Sequence, residues 1–170
     1  MEAPNIAKKS AKTPIKEYDR ERIAFFYETM VKIRRFERTV EEKFLAGEIP
    51  GFVHLYIGEE AVATGVMANL THKDYIESTH RGHGHTIAKG ADLNRMMAEI
   101  FGKRTGCCKG KGGSMHIADF SVGMLGANGV VGGYNLVAGW ASVQRYEAEA
   151  RAWPARCCRA PLCCFWTAGS

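Results

Sequence analysis

Apolar residues recur every three or four positions between Tyr18 and Ala46, which predicts one long amphipathic helix. The stripe expected to face the core consists of Ile23, Phe26, Met30, Ile33, Phe36, Val40 and Phe44. Gly47 ends the pattern, and Pro50-Gly51 predicts a turn after it. The first ordered element is therefore a helix with one buried face.

A short apolar run and a second helix are expected next. Residues 52–57 form the run, and the helix should begin near Gly58 and carry residues 61–70. Glu59 and Glu60 fall in its first turn, where the helix dipole favours acidic side chains.

A buried strand and a third helix follow. Residues 74–76, Asp-Tyr-Ile, resemble a short buried strand, and a turn is expected over residues 78–84. Asp92 can cap a helix over residues 93–101, which Gly102 would end.

The stretch from residue 102 to residue 139 contains eleven glycines in 38 positions. A loop of this length in a compact domain is usually functional or disordered. The apolar groups at residues 115–117 and 124–125 favour ordered, packed loops. Helix, strand, helix and glycine-rich turn together predict an α/β layered domain.

Composition divides the 170 residues into three segments. Residues 1–17 are polar and predict a flexible arm, and residues 18–146 carry the periodic elements. Residues 147–170 form a tail of different character, because its last 21 positions contain no Lys, Asp, Glu, Asn, Gln, Ile or Val.

Charge and hydropathy exclude two classes of partner. The net charge of +5 comes mostly from the two ends of the chain, so no basic stripe for nucleic acid is predicted. No apolar run has the length of a membrane span. The six cysteines form three adjacent pairs, which is neither a disulfide framework nor a standard zinc pattern. We therefore expect free thiols in a reducing cytoplasm.

Four stretches carry candidate chemistry. In residues 79–85, three histidines and Arg81 lie among glycines, which suits an anion or cofactor; a metal site or solvated loop histidines are the alternatives. Residues 107–116 resemble a phosphate loop without its full motif, or a flexible basic loop. The glycines of residues 126–133 allow either ligand approach or tight packing, and His54 is either catalytic or structural.

Together these stretches resemble the alpha subunits of thiamine-diphosphate-dependent 2-oxo acid dehydrogenase complexes, in the acetoin and pyruvate dehydrogenase branch. The resemblance covers about residues 18–146. The residues of its motifs favour the acetoin type, because the pyruvate type more often has Tyr at the position of His80. It implies the front part of a thiamine-diphosphate-binding α/β fold with helical N-terminal segments. The matching motifs are RRFE (34–37), GEIPGFVHLYIGEEAVA (47–63), STHRGHGHTIAKG (78–90), GKGGSMHIAD (110–119) and GMLGANGVVGG (123–133).

The resemblance also implies roles for single residues. His80 and Arg81 would contact the diphosphate of the cofactor, and His54 would lie near the bound substrate. His116 would belong to a loop that lines the active-site channel. The backbone of Gly129 and Val131 would face the aminopyrimidine half of the cofactor.

The implied function is cleavage of acetoin or decarboxylation of pyruvate, with transfer of the two-carbon unit to a lipoyl acyltransferase. The family works as an α2β2 heterotetramer that holds thiamine diphosphate and magnesium between the two kinds of subunit. A non-catalytic fragment that keeps a surface for the β subunit, and a phosphate-binding protein that uses the glycine-rich loop, remain the alternative interpretations.

The chain departs from the family pattern near its C-terminus. The family places magnesium ligands, an Asp and an Asn, downstream of the glycine-rich stretch, but here no Asp follows Asp119 and the last Asn is Asn135. The codons of residues 160–169, read in a shifted frame, can encode an apolar strand that ends in Asp-Gly. We therefore expect a truncated or frameshifted C-terminal part, with the magnesium ligands missing and this chain inactive alone.

Overall fold

The computed structural model describes residues 19–130, Gly133 and the backbone of Cys163–Cys164. The predicted arm at residues 1–17 lies outside this part, as does nearly all of the tail at residues 147–170. The helices are α1 (Arg20–Leu45), α2 (Glu60–Met67), α3 (His83–Ala88) and α4 (Leu93–Ile100), and a 3₁₀ turn spans Phe120–Val122. The strands are β1 (Ile76–Thr79), β2 (Met124–Asn128) and β3 (Cys163–Cys164).

The three strands form a parallel sheet in the order β2-β1-β3. All four residues of β1 are buried, as expected for the central strand of a parallel sheet. The predicted α/β class with helical N-terminal segments is confirmed. None of the helices in the described ranges is long and apolar enough to cross a membrane.

The predicted helix over residues 18–46 is confirmed as α1, and Asp19 caps its start by accepting the Arg22 N–H at 2.7 Å. The middle of the predicted stripe is buried in the core, at Ile33, Phe36 and Val40. Its ends are not, because Ile23 is 53% and Phe44 37% exposed.

The predicted ends of the shorter elements are partly wrong. The second helix begins at Glu60 and ends at Met67, and the segment 52–57 joins no strand. The strand expected at residues 74–76 lies at Ile76–Thr79, and α3 occupies part of the turn expected over residues 78–84. Both elements lack an apolar pattern in the sequence because polar residues occupy buried positions in them. Oγ of Ser78 and Nδ1 of His85, for example, form a hydrogen bond at 2.5 Å inside the core.

The helix predicted over residues 93–101 is confirmed as α4. Asp92 caps its start, where its carboxylate accepts the Arg95 N–H at 2.8 Å. Gly102 follows the helix with a φ of +67°, a conformation that favours glycine.

An ion pair joins the first two helices. The guanidinium of Arg34 donates to both carboxylate oxygens of Glu60, at 2.5 and 3.0 Å. The same carboxylate accepts the Gly58 N–H at 3.1 Å, which fixes the turn before α2. This contact therefore joins the motif at residues 34–37 to the motif at residues 47–63 and orients α2.

The buried side chains of Glu77 and His85 should give opposite pH dependences of stability. Burial raises the pKa of Glu77 from 4.5 to about 7 and lowers the pKa of His85 from 6.5 to about 4. Between pH 4.5 and 6.5, the folded chain retains a proton on Glu77 that the unfolded chain releases, so this contribution to stability falls as pH rises. His85 has the reverse effect, because in that window only the unfolded chain binds its proton.

We therefore expect Glu77→Gln, which stays neutral, to gain stability over the wild type progressively from pH 4.5 to 7 and by a constant amount above pH 7. Thermal unfolding of both proteins across this range measures the difference. A difference that does not vary with pH would contradict the expectation.

Candidate functional site

The candidate site lies where two parallel strands end. Thr79 closes β1 and pairs with Asn128, which closes β2. His80 and Arg81 follow the first strand, and Gly129 follows the second. In parallel α/β sheets, ligands bind outside the carboxyl ends of the strands. The fold therefore brings two separate sequence motifs to the edge where a ligand is expected.

His54 joins this site from the loop before α2. Its imidazole packs edge-on against the ring of His80, with the ring centroids 4.8 Å apart. Its backbone N–H donates to the hydroxyl of Ser114 at 3.2 Å. His54 is half-buried, so its ring is both held in place and accessible.

The side chain of Arg81 is oriented by a contact within the protein, whereas that of His80 keeps a buried nitrogen without a partner among the described residues. The Arg81 guanidinium donates from Nη1 to the backbone carbonyl of Leu55. Nδ1 of His80 is buried and has no hydrogen-bond partner within the described part of the chain. Burial lowers the pKa of His80, and the neighbouring His54 and Arg81 lower it further, so this imidazole is neutral at pH 7.

His116 reaches the same edge from the glycine-rich loop. A Cβ placed on Gly129 would lie 3.2 Å from Cε1 of the His116 ring, so glycine permits this close approach. Both residues are exposed. Val131 lies outside the described residues, and its role stays a prediction.

The other two histidines of the Thr-His-Arg-Gly-His-Gly-His motif belong to the core. His83 bonds to Glu37 and Ser114, and His85 bonds to Tyr56 at 2.8 Å and to Ser78. Both rings are fully buried, so they are not solvated loop histidines. Within the described ranges, the three imidazoles do not gather into a metal-ligand set.

The glycine-rich loop is organised by Glu99, a residue the sequence interpretation missed. Its buried carboxylate accepts four backbone N–H groups, from Cys108, Gly110, Gly112 and Gly113, at 2.7 to 3.3 Å. A phosphate loop would aim these amides at its ligand. Because a protein carboxylate holds them, the geometry argues against the phosphate-loop interpretation.

Glu99 also approaches the adjacent thiols of Cys107 and Cys108. Their ligand atoms lie within 4.8 Å of one another, the one group of three in the described part that could hold a metal ion. Both oxygens of Glu99 already accept backbone N–H groups, and burial raises the pKa of Cys107 to about 12. The Cys108 thiol accepts the Ala118 N–H at 3.1 Å. These contacts fit a packed loop better than a metal site.

The fold and the site define an α/β protein with a candidate ligand site at the carboxyl ends of two parallel strands. The chain belongs to the dehydrogenase E1 component family, whose model matches residues 28–154. The resemblance seen in the sequence is thereby confirmed, and membership implies dependence on thiamine diphosphate.

Known relatives are similar along most of this chain. The alpha subunit of acetoin:2,6-dichlorophenolindophenol oxidoreductase from Bacillus subtilis is 62% identical over 128 residues, which are 75% of this chain and 38% of the relative. Its counterpart from Cupriavidus necator is 52% identical over 77% of this chain and 40% of the relative. The chloroplastic pyruvate dehydrogenase E1 component subunit alpha-3 from Arabidopsis thaliana is 43% identical over 72% of this chain and 29% of the relative. The match therefore spans 29 to 40% of these relatives' length.

Proposed function

We propose that the chain belongs to the alpha subunit of a thiamine-diphosphate-dependent dehydrogenase that cleaves acetoin and passes the two-carbon unit to a lipoyl acyltransferase. The observation that carries this proposal is the meeting of His54, His80, Arg81, His116 and Gly129 at the ends of β1 and β2. The higher identity to two acetoin-type subunits favours acetoin over pyruvate.

The residues at the site fit a diphosphate group. The planar guanidinium of Arg81 suits paired phosphate oxygens, and its orientation is fixed by Leu55. The neutral imidazole of His80 offers a buried nitrogen whose hydrogen bond is unmade within the described residues. A buried polar atom left without a partner is costly, and a bound ligand would remove that cost.

The backbone at Gly129 and Val131 would face the aminopyrimidine half of the cofactor. Because Gly129 has no Cβ, a ring can approach its peptide closely, as His116 does. Magnesium would bind the diphosphate in the assembled enzyme, and we assign none of its ligands to the described residues.

When bound, thiamine diphosphate supplies the carbanion chemistry that breaks the carbon–carbon bond of the substrate. The protein contributes binding, orientation and proton placement. We propose that Arg81 and His80 hold the diphosphate, and that the His54 imidazole donates a hydrogen bond to the substrate oxygen that gains charge. His116 would line the channel through which the substrate enters.

A β subunit and a lipoyl acyltransferase are the proposed partners. Three large apolar side chains within four positions of a site residue in the sequence are strongly exposed: Phe52 is 78%, Phe120 73% and Val130 68% exposed. Exposed apolar surface beside a polar site is typical of a protein interface. A β subunit that covers these side chains and the site would also exclude water from the reaction.

The function can be tested with the complete gene product combined with the β subunit. We expect acetoin to reduce 2,6-dichlorophenolindophenol only when thiamine diphosphate, magnesium and both subunits are present. Faster reduction with pyruvate would identify pyruvate, and not acetoin, as the substrate. Binding of the β subunit without turnover would favour the non-catalytic alternative, and binding of nucleotide alone would overturn the proposal.

His54→Ala should lower kcat with acetoin by about 10²-fold or more, because the variant loses a polar group that acts on the reacting atoms. The affinity for thiamine diphosphate should change little, since the diphosphate contacts remain. Steady-state kinetics and cofactor titration measure the two effects separately. The exposed His72, changed to Ala, is the matched control. Weakened cofactor binding with unchanged kcat would assign His54 to the cofactor instead.

A further inference from the structure

Three polar side chains from distant parts of the chain form one buried hydrogen-bonded row. The Glu37 carboxylate lies 2.9 Å from Nδ1 of His83, and Nε2 of His83 lies 3.0 Å from Oγ of Ser114. Glu37 and His83 are fully buried, and Ser114 is 5% exposed. The row joins α1, the start of α3 and the glycine-rich loop.

The direction of these hydrogen bonds depends on the tautomer of His83. In the tautomer with its proton on Nδ1, that nitrogen donates to Glu37, and Nε2 accepts the hydroxyl proton of Ser114. The Ser114 oxygen keeps its acceptor capacity, which the His54 N–H uses at 3.2 Å.

The row therefore ends on a residue of the proposed active site. The His54 backbone is tied to Ser114, and the His54 ring packs against His80. His116 stands two residues after Ser114 in the same loop. One buried hydroxyl thus links the segment of His54 to the segment of His116.

Stability alone does not account for this row. Within the described residues, Oε2 of Glu37 is buried without a hydrogen-bond partner. A partly satisfied buried polar network costs more than an apolar core of the same shape. Such local costs are expected at functional sites.

We infer that Glu37, His83 and Ser114 act as a positioning row that holds His54 in its working place. The inference rests on the proposed function of His54. The order Ser–His–Glu is also that of hydrolase triads. Here Ser114 is buried and its oxygen already accepts a backbone N–H, so the row positions the loop rather than attacking a substrate.

The test compares Ser114→Ala with Ser78→Ala in the complete gene product assembled with the β subunit. Both variants remove a buried hydroxyl bonded to a histidine, but Ser78 bonds to His85 and is not tied to His54. Ser114→Ala should lower kcat with acetoin by about 10²-fold, because a small displacement of a reacting group has effects of that order. Affinity for thiamine diphosphate should stay near that of the wild type, and Ser78→Ala should retain kcat.

Nuclear magnetic resonance gives a readout that does not depend on turnover. The His83 ring should carry its proton on Nδ1 in the wild type, and the His54 amide should exchange with solvent faster in Ser114→Ala than in Ser78→Ala. If Ser114→Ala does not fold, Ser114→Cys replaces it, since the thiol fills similar space and accepts hydrogen bonds weakly.

Unchanged kcat together with faster amide exchange would overturn the positioning role. Equal losses of kcat in the Ser114 and Ser78 variants would overturn it as well. If the wild-type complex turns over neither acetoin nor pyruvate, the proposed function fails. The positioning row is then tested only by the rate at which the His54 amide exchanges with solvent. An unchanged rate in Ser114→Ala overturns the inference.

Discussion

Arg81→Ala should bind thiamine diphosphate about 10- to 150-fold more weakly than the wild type, a loss of about 1.5–3 kcal/mol for one charge-assisted contact. The guanidinium is half-buried and held by the Leu55 carbonyl, so it is oriented before the ligand arrives. A preoriented group loses little entropy on binding. Titration of the αβ complex with thiamine diphosphate at fixed magnesium concentration measures the effect.

Two further variants show whether the effect is specific to Arg81. Arg81→Lys keeps the charge but loses the planar fork, so its affinity should fall between those of the wild type and Arg81→Ala. Arg38 is 61% exposed in its side chain and donates to Glu41 on the same helix at 2.8 Å. Arg38→Ala removes an equal charge far from the site residues in sequence and should leave affinity unchanged. An Arg81→Ala variant with wild-type affinity would remove Arg81 from the proposed diphosphate site.

Local signals in the sequence predicted the helices better than the strands. α1 and α4 have apolar periodicity and an Asp whose side chain caps the first turn, and both features act within a few residues. β1 gave a weaker signal because three of its four residues, Glu77, Ser78 and Thr79, are polar and yet buried. Their burial depends on partners and packing that periodicity does not reveal.

The site residues were found through motif resemblance, whereas the contacts that hold them were not found. His54, His80 and Arg81 stand in recognisable motifs, and the structure brings them together. The link from Ser114 to His54 spans 60 residues, and the link from His83 to Glu37 spans 46. No rule of sequence spacing predicts pairs at such separations.

Glu99 could have been suspected from the sequence. It stands three residues after Met96 and one before Ile100, and both are buried, so it shares the apolar face of α4. A charged residue on a buried face requires a set of partners. Here the partners are the amides of the glycine-rich loop that precedes His116.

Glu99→Ala should therefore lower the free energy of unfolding by at least about 3 kcal/mol, because each buried donor left without an acceptor costs about 1–3 kcal/mol. When this substitution is made in the complete gene product, four backbone amides lose their acceptor at once. The loop should open, and Cys108, whose thiol accepts the Ala118 N–H, should become more reactive. Chemical denaturation measures the first effect, and thiol labelling mapped by mass spectrometry measures the second.

Two control variants separate the role of the carboxylate from the loss of a charge. Glu42 is exposed on α1, so Glu42→Ala removes an equal charge and should leave both stability and Cys108 labelling near wild type. Glu99→Gln keeps the shape but replaces one acceptor oxygen with an NH2 group that faces N–H donors. It should therefore also destabilise the loop. If Glu99→Gln were as stable as the wild type, the four hydrogen bonds would not be what holds the loop, and His116 would owe its place over Gly129 to other contacts.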